Sequence, residues 1–318
     1  MPRVLLVKTS SLGDVVHNLP VVNDLIAAQP ALMIDWVVEE AFAAIPRLHP
    51  CVSHVLPVAI RRWRRAPWQS DVRAEVCRFL HDLRSVSYDA IIDTQGLLKS
   101  AWISRAAQGV RHGLDWASSR EPLAWFYDHT HRVPWGQHAV ERNRSLAAQA
   151  MGYALTTPAR YGIAAAAQEF AWLSGAAPHA VLLHATSAER KLWPEANWVE
   201  LGRALAARGI SSVLPWGAES ERLRSERLAV QIPQAIVPER MDVAALAALL
   251  AKAHVVVGTD TGLTHLAGAL EVPTVGLYCA TDPAATGLHA CARAVNLGGI
   301  GVTPAVNAVV AAVDGLLR

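Results

Sequence analysis

No run of apolar residues in this chain approaches the ~20 that a membrane-spanning helix needs. Its start, Met-Pro-Arg followed by Val-Leu-Leu-Val, has neither the long apolar centre nor the cleavage site of a signal peptide. Both absences point to a protein of the cytoplasm. Four cysteines, Cys51, Cys77, Cys279 and Cys291, are scattered without a CxxC pair, which favours reduced thiols over disulfides or zinc. Thirteen histidines form no HExxH. A net charge of +2 is too small to argue for nucleic acid by itself. There is no fixed-period repeat, so a solenoid is excluded.

What is present is a chain of 318 residues, 52% hydrophobic and 18% charged, long for one core and suited to two. Short β-branched runs alternate with helical patterns, which reads as βα repetition and parallel sheets covered by helices. Strands are expected near "RVLLV", "IDWVVE", "HVLPV" and "AIIDT", and helices over Val15 to Ala28, Val72 to Val86 and His138 to Met151. The periodicity lapses around "YALTTPARYGIAAAAQ", where a linker is expected, and restarts at "AVLLHAT". Beyond it come strands in "ISSVLPWG", "HVVVGT" and "TVGLY", with helices between them and a terminal helix from Thr303 to Leu317, capped by Thr303-Pro304. The division is placed at 1–160 and 161–318. Ligands of such domains bind at the carboxyl ends of the strands, so the polar strand-to-helix turns are the places to search.

The first turn, "KTSSLGD", lacks the GxGxxG fingerprint of a dinucleotide site. Asp14 stands where a strand becomes a helix, and a carboxylate there caps free amides and opposes the helix dipole. Against a cap alone, Ser10 and Ser11 can already cap, and Gly13 lets the backbone present Asp14 to a ligand. A second turn, "VVVGTDTGLTHLAGAL", joins a buried strand to a helix through Asp260, Thr261 and Gly262. Free amides at such a start suit a phosphate or diphosphate. An aspartic-protease reading of Asp-Thr-Gly needs a β-rich fold and a second motif, and neither is present. A third turn, "LLHATSAERKLW", sets Thr186, Ser187 and Lys191 where an anion would be held, although an exposed lysine is the ordinary state of any one Lys. In "PWGAESER", Glu221 can accept from a ribose diol or merely cap its helix.

The stretch "IRRWRRAPW" concentrates Arg61, Arg62, Arg64 and Arg65 around Trp63, with Trp68 beyond. Basic runs are usually solvated faces. With Lys99 of "DTQGLLKS" and Arg120 of "SSREPLAWFY", this one offers an acidic, partly apolar partner a place to bind.

"VLLVKTSSLGDVVHNLP", "IDWVVEEAFA", "VAIRRWRR", "DTQGLLKSA", "REPLA", "HAVERNR", "LPWGA" and "DTGLTHLAGAL" follow one another in an order that resembles the inverting ADP-heptose:lipopolysaccharide heptosyltransferase family, from Val4 to about Asp282. The resemblance implies a GT-B fold, two Rossmann-like doubly wound domains facing a central cleft, the first for the acceptor and the second for the sugar nucleotide. It implies transfer of L-glycero-D-manno-heptose from ADP-heptose to the inner Kdo of Kdo-lipid A, with inversion and with no metal or other cofactor; the absence of a DxD motif agrees. Matched by motif, Asp14 is the general base. Thr186, Ser187 and Lys191 fall on the donor-phosphate loop, and Asp260, Thr261, Gly262, Leu263 and His265 on the donor turn. Glu221 falls on a ribose contact, and Arg61, Arg62, Arg64, Lys99 and Arg120 on the acceptor region. Ser187 departs from the second threonine expected there but keeps the hydroxyl. An anionic inner-leaflet surface is the further partner implied, approached from the cytoplasmic face by the basic, tryptophan-containing segment. The rival readings are a sister enzyme that adds a later heptose, a sugar-nucleotide epimerase or hydrolase, and a non-catalytic binder in which Asp14 is only a cap.

Overall fold

The computed structural model describes residues 1–173 and 178–318, and the chain divides into two compact units, Met1–Ile163 and Ala164–Arg318. The junction lies within the expected linker, next to the 160/161 boundary.

In the first unit the strands are β1 Arg3–Val7, β2 Met33–Glu39, β3 Val52–Val58, β4 Ser87–Asp93, β5 Gln108–Leu114 and β6 His129–His131. All pair in parallel, in the order β3-β2-β1-β4-β5-β6. The central strand β1 is apolar and buried from Val4 to Val7 because helices cover both faces of a parallel sheet. Leu5, Val7, Val37 and Ile91 meet Phe79 and Leu83 of the helix Ser70–Arg84 in its core.

In the second unit β7 His179–Leu183, β8 Ser211–Val213, β9 Val255–Thr259, β10 Thr274–Tyr278 and β11 Ala294–Gly298 form a parallel sheet in the order β11-β10-β9-β7-β8. A parallel bridge from Val213 to Ile236 continues it beyond β8. With that bridge in the place of a third strand, both units have the Rossmann strand order, and each reverses direction beside its first strand. Leu182, Val257 and Leu277 pack there with Trp193, Trp198 and Val309.

Two expected helices differ, and three strands go beyond those expected. The helix expected over Val15 to Ala28 is two, Leu12–Val16 and Leu19–Ala28. Pro20 cannot donate to the carbonyl four residues back, so it starts the second helix instead of continuing the first. The terminal helix is Val306–Leu316 with Ala305 at its N-cap, not Thr303. Pro304 is buried, and its carbonyl accepts the indole N–H of Trp193, which fixes it against the core ahead of the helix. Strands β5, β6 and β11 had no apolar run to announce them, being short, glycine-bearing or histidine-rich and only partly buried.

Candidate active site

The register pairs Val7 with Asp93 at the carboxyl ends of β1 and β4, so the turns after those strands leave the sheet side by side. This is the first unit's switch point, where ligands of such sheets bind. The side chain of Gln95 crosses it, and its Oε1 accepts the amides of Thr9 at 3.0 Å and Ser10 at 2.9 Å. The next amide, Ser11, is taken by Asp14 Oδ2 at 2.8 Å, and the Ser11 hydroxyl donates to the same oxygen at 2.9 Å. Asp14 is thus the third-position carboxylate of a capping box on the helix Leu12–Val16. Both bonds end on Oδ2; among the described residues Oδ1 has no partner.

Cations gather around that carboxylate. Lys99 donates from Nζ to Ser10 Oγ at 2.6 Å. Burial lowers its pKa, Glu39 and Asp14 oppose the shift, and Arg61 and Arg64 add to it, so all four charges lie in its field. Lys8, buried beneath the turn, donates to the Thr94 carbonyl at 2.7 Å and lies 3.4 Å from Asn143 Oδ1. Burial pulls its ammonium below the ordinary lysine value, against the attraction of Asp14 and Asp93. Arg120 is exposed and acts on Lys8 through its charge. The structure therefore brings Asp14, Lys99, Arg61, Arg64 and Arg120 to one neighbourhood. Arg62 is engaged elsewhere, bound to Glu40 and Glu75 at about 3 Å, where it ties the helix Ile60–Trp63 to the helix Ser70–Arg84. Trp63 shares that role, donating to Glu75 at 2.8 Å and packing on Phe79.

Three residues here escaped the reading of the sequence. Lys8 and Gln95 belong to quoted motifs, but nothing in their spacing distinguishes a buried lysine or a clamping amide from loop residues. Glu39, 3% exposed at the end of β2, accepts the Arg61 amide at 3.0 Å and so holds the arginine-bearing helix in place. An acid closing an apolar strand run was the signal for it.

In the second unit Leu183 pairs with Gly258, which puts the turns after β7 and β9 side by side. Thr186 Oγ1 donates to the Asp260 carbonyl at 3.1 Å and joins them. Asp260 collects Lys191 Nζ at 2.7 Å, Thr281 Oγ1 at 2.7 Å and His265 Nε2 at 3.4 Å. Burial alone would raise its pKa; the bonds from His265, Lys191 and Thr281 outweigh it and hold the carboxyl well below the usual carboxylate range. An ammonium has three donors, so Lys191, partly exposed, keeps two for a ligand. The amides of Thr261, Gly262 and Leu263 at the start of the helix Gly262–Ala269 have no partner among the described residues. Ser187, next to Thr186 in sequence, is exposed. Gly258 makes the turn possible: a Cβ there would lie 2.1 Å from Thr264 Oγ1, which bonds the Thr259 carbonyl at 2.7 Å.

Glu221 follows β8, the strand after which Rossmann folds place a ribose-binding acid. Its Oε2 accepts the amides of Gly217 at 2.8 Å and Ala218 at 3.1 Å, the same cap that Asp14 forms in the first unit. Among the described residues no group of His, Cys, Asp or Glu is arranged to hold a metal ion, and no helix is long and apolar enough to cross a membrane.

The two switch points thus differ. In the first unit side chains fill the amides of Thr9, Ser10 and Ser11, and a carboxylate oxygen is left among cations. In the second the amides of Thr261, Gly262 and Leu263 are open with a lysine beside them, the arrangement that receives a phosphate.

The family model of glycosyltransferase family 9 (heptosyltransferase) matches residues 76–308. Lipopolysaccharide heptosyltransferase 1 of Pseudomonas aeruginosa is 50% identical over 290 residues, which cover 90% of this chain and 81% of that protein. The solved structure of Escherichia coli heptosyltransferase WaaC with ADP aligns with a TM-score of 0.90 at 43% identity, over 99% of each chain. WaaC with ADP-2-deoxy-2-fluoro heptose aligns with a TM-score of 0.85 at 42% identity, over 98% of this chain and 99% of that one. The paired Rossmann-like units are those of the GT-B fold.

Proposed function

The chain belongs to glycosyltransferase family 9, the heptosyltransferases, and on that premise we propose that it transfers L-glycero-D-manno-heptose from ADP-heptose to the inner Kdo of Kdo-lipid A, inverting the anomeric centre without a metal ion. Transfer of heptose in lipopolysaccharide assembly is supported by the relatives; the donor by the ADP and ADP-2-deoxy-2-fluoro heptose complexes of WaaC. The observation that carries the division of labour is the contrast between the two switch points.

In the second unit the diphosphate of ADP-heptose is received by the amides of Thr261, Gly262 and Leu263, by Lys191 and by the Thr186 and Ser187 hydroxyls. Asp260 orients Lys191 by holding one of its three protons. Glu221, through the oxygen its cap does not use, accepts from the ribose. As the bond between the anomeric carbon and the diphosphate breaks, negative charge grows on the leaving ADP. Donors fixed in advance stabilise it more in the transition state than in the ground state.

In the first unit Asp14 is the general base. Oδ2 is held by Ser11, and Oδ1 takes the proton of the acceptor hydroxyl while its oxygen bonds to the anomeric carbon. Cap and base are therefore two oxygens of one carboxylate. Arg61, Arg64, Lys99 and Arg120 meet the acceptor's carboxylates and phosphates, and Arg62 supports the helix of Arg61 from behind. Because the acceptor is a lipid, the protein works as a peripheral protein on the cytoplasmic face of the inner membrane.

The test is to incubate the protein with ADP-L-glycero-D-manno-heptose and Kdo-lipid A in the presence of chelator and to weigh the acceptor by mass spectrometry. A gain of one heptose with release of ADP is expected. An unchanged acceptor beside transfer to a heptosylated one would move the reading to a sister enzyme, and donor consumed without acceptor would move it to a hydrolase.

A further inference from the structure

The tryptophans of this chain are distributed unevenly. Trp193 and Trp198 of the second unit are wholly buried, and among its described residues none is exposed. In the first unit Trp102, Trp116, Trp125 and Trp135 are each at least half exposed, Trp125 to 85%. They are not scattered. Trp102 meets Phe126 edge to face at 5.4 Å, and Trp116 meets Trp125 at 5.7 Å. Trp125 and Phe126 are neighbours in the single turn Ala124–Phe126, so the two pairs form one cluster. Trp135 borders it, its indole N–H bound to the Ala117 carbonyl and its ring under the Arg142 guanidinium at 4.2 Å.

The cluster is built rather than loose. Leu123, Ala101 and Tyr127 are buried beneath it, and Phe126 packs on them. The Leu98 amide donates to Glu121 at 2.6 Å and ties the loop to the helix Leu98–Ala106. That helix turns Leu98, Trp102 and Arg105 outward, at i, i+4 and i+7, and has no acidic residue. The acids near the cluster are all engaged: Glu121 on that amide, Asp115 on the Ser118 amide and Asp128 on Arg111. Arg105 and Arg120 are exposed and carry no ion pair among the described residues.

We propose that this tryptophan cluster and its flanking arginines form the surface by which the protein docks on an anionic lipid bilayer. Indole is the side chain that settles at the boundary between headgroups and acyl chains, and flanking cations bind anionic headgroups. A second copy of the chain is the poorer occupant, because self-pairing would set Arg105 and Arg120 against their own kind. The inference rests on the lipid acceptor proposed above and says where its membrane lies. The helix that bears Trp102 also bears Lys99, which touches the turn of Asp14, and its nine residues span about 13 Å. The same helix thus runs from the reacting sugar to the bilayer.

The test is sedimentation with vesicles of phosphatidylethanolamine and phosphatidylglycerol in equal parts, comparing the wild type with Trp102→Ser/Trp125→Ser and with Arg105→Glu. Binding of both variants is expected to weaken by roughly tenfold or more, since losing ~1.4 kcal/mol is a factor of ten. Transfer to detergent-dispersed Kdo-lipid A by the double variant is expected to be unchanged. The wild type, which needs no substitution, should show its indole fluorescence quenched by brominated lipid. Unaltered sedimentation or absent quenching overturns the docking surface while leaving the transferase reading intact; no transfer in detergent with normal sedimentation does the reverse. A wild-type dimer that Trp125→Ser dissolves, with vesicle binding kept, assigns the surface to a second copy and also overturns the proposal.

Discussion

Asp14 shows why a residue's type and position can answer to two roles at once. The physics that favours an acid at a helix start favours any acid, and the cap consumes only Oδ2. Catalysis needs more: a free second oxygen and positive charge close by. Lys8 supplies part of that charge from below, where water cannot screen it. Lys8→Met should therefore lower kcat while ADP affinity holds; unchanged turnover in a folded variant removes Lys8 from the account. Lys191→Ala should weaken ADP binding on the order of tenfold to a hundredfold, the range for a charge-assisted hydrogen bond, and slow turnover as well. Titration calorimetry gives the first number and initial rates the second.

At the scale of elements, the turns were legible where polar residues interrupt strong strand runs. "VVVGTDTG" and "LLHATS" announced the second unit's turns because β7 and β9 are largely apolar and buried along their whole length. The arginine cluster was legible as charge but not as geometry. Arg62 differs from Arg61 and Arg64 only in which way its helix points it, and that depends on Glu40 and Glu75, distant in sequence from one another. Parts of the family pattern turn out to be scaffold. In "HAVERNR", Arg144 pairs with buried Asp24 at 2.7 Å and Asn143 donates to the His17 carbonyl at 3.2 Å, which steadies the floor under Lys8. Gly258 is a sharper case of a residue chosen by a neighbour. Gly258→Ala should cost about 1–3 kcal/mol, as overpacking does, and Thr264→Ala should relieve part of that loss, because the two sites are in contact. Urea unfolding of the single and double variants measures both; additive losses would contradict the contact.

For the whole molecule, strand order could not be read from the periodicity, since it depends on which edges pair; the family resemblance implied it. The alternation of strands and helices nonetheless implied parallel sheets, and two Rossmann orders satisfy it. Each unit also buries a histidine that charge cannot reach cheaply. Burial pulls His49 in the first unit, and His184 in the second with help from Arg224, from 6.5 down to about 4. Folded, they stay neutral between those values, whereas the unfolded chain takes up the protons. Stability from these residues is therefore complete above 6.5 and is lost as pH falls towards about 4, at up to ~1.4 kcal/mol per pH unit for each. Thermal melts across that window should show the decline, and His184→Gln should flatten it. An unchanged slope would mean that His184 titrates freely in the fold.

The central claim is that the first unit activates the acceptor and the second holds the donor. Its most direct test is one variant measured two ways. Asp14→Asn keeps an oxygen for the Ser11 cap but cannot take a proton at neutral pH. The account predicts ADP-heptose affinity within error of wild type and turnover lower by roughly a hundredfold or more, the range for loss of a general base. Near-normal turnover of the folded variant would return Asp14 to a cap and contradict the account.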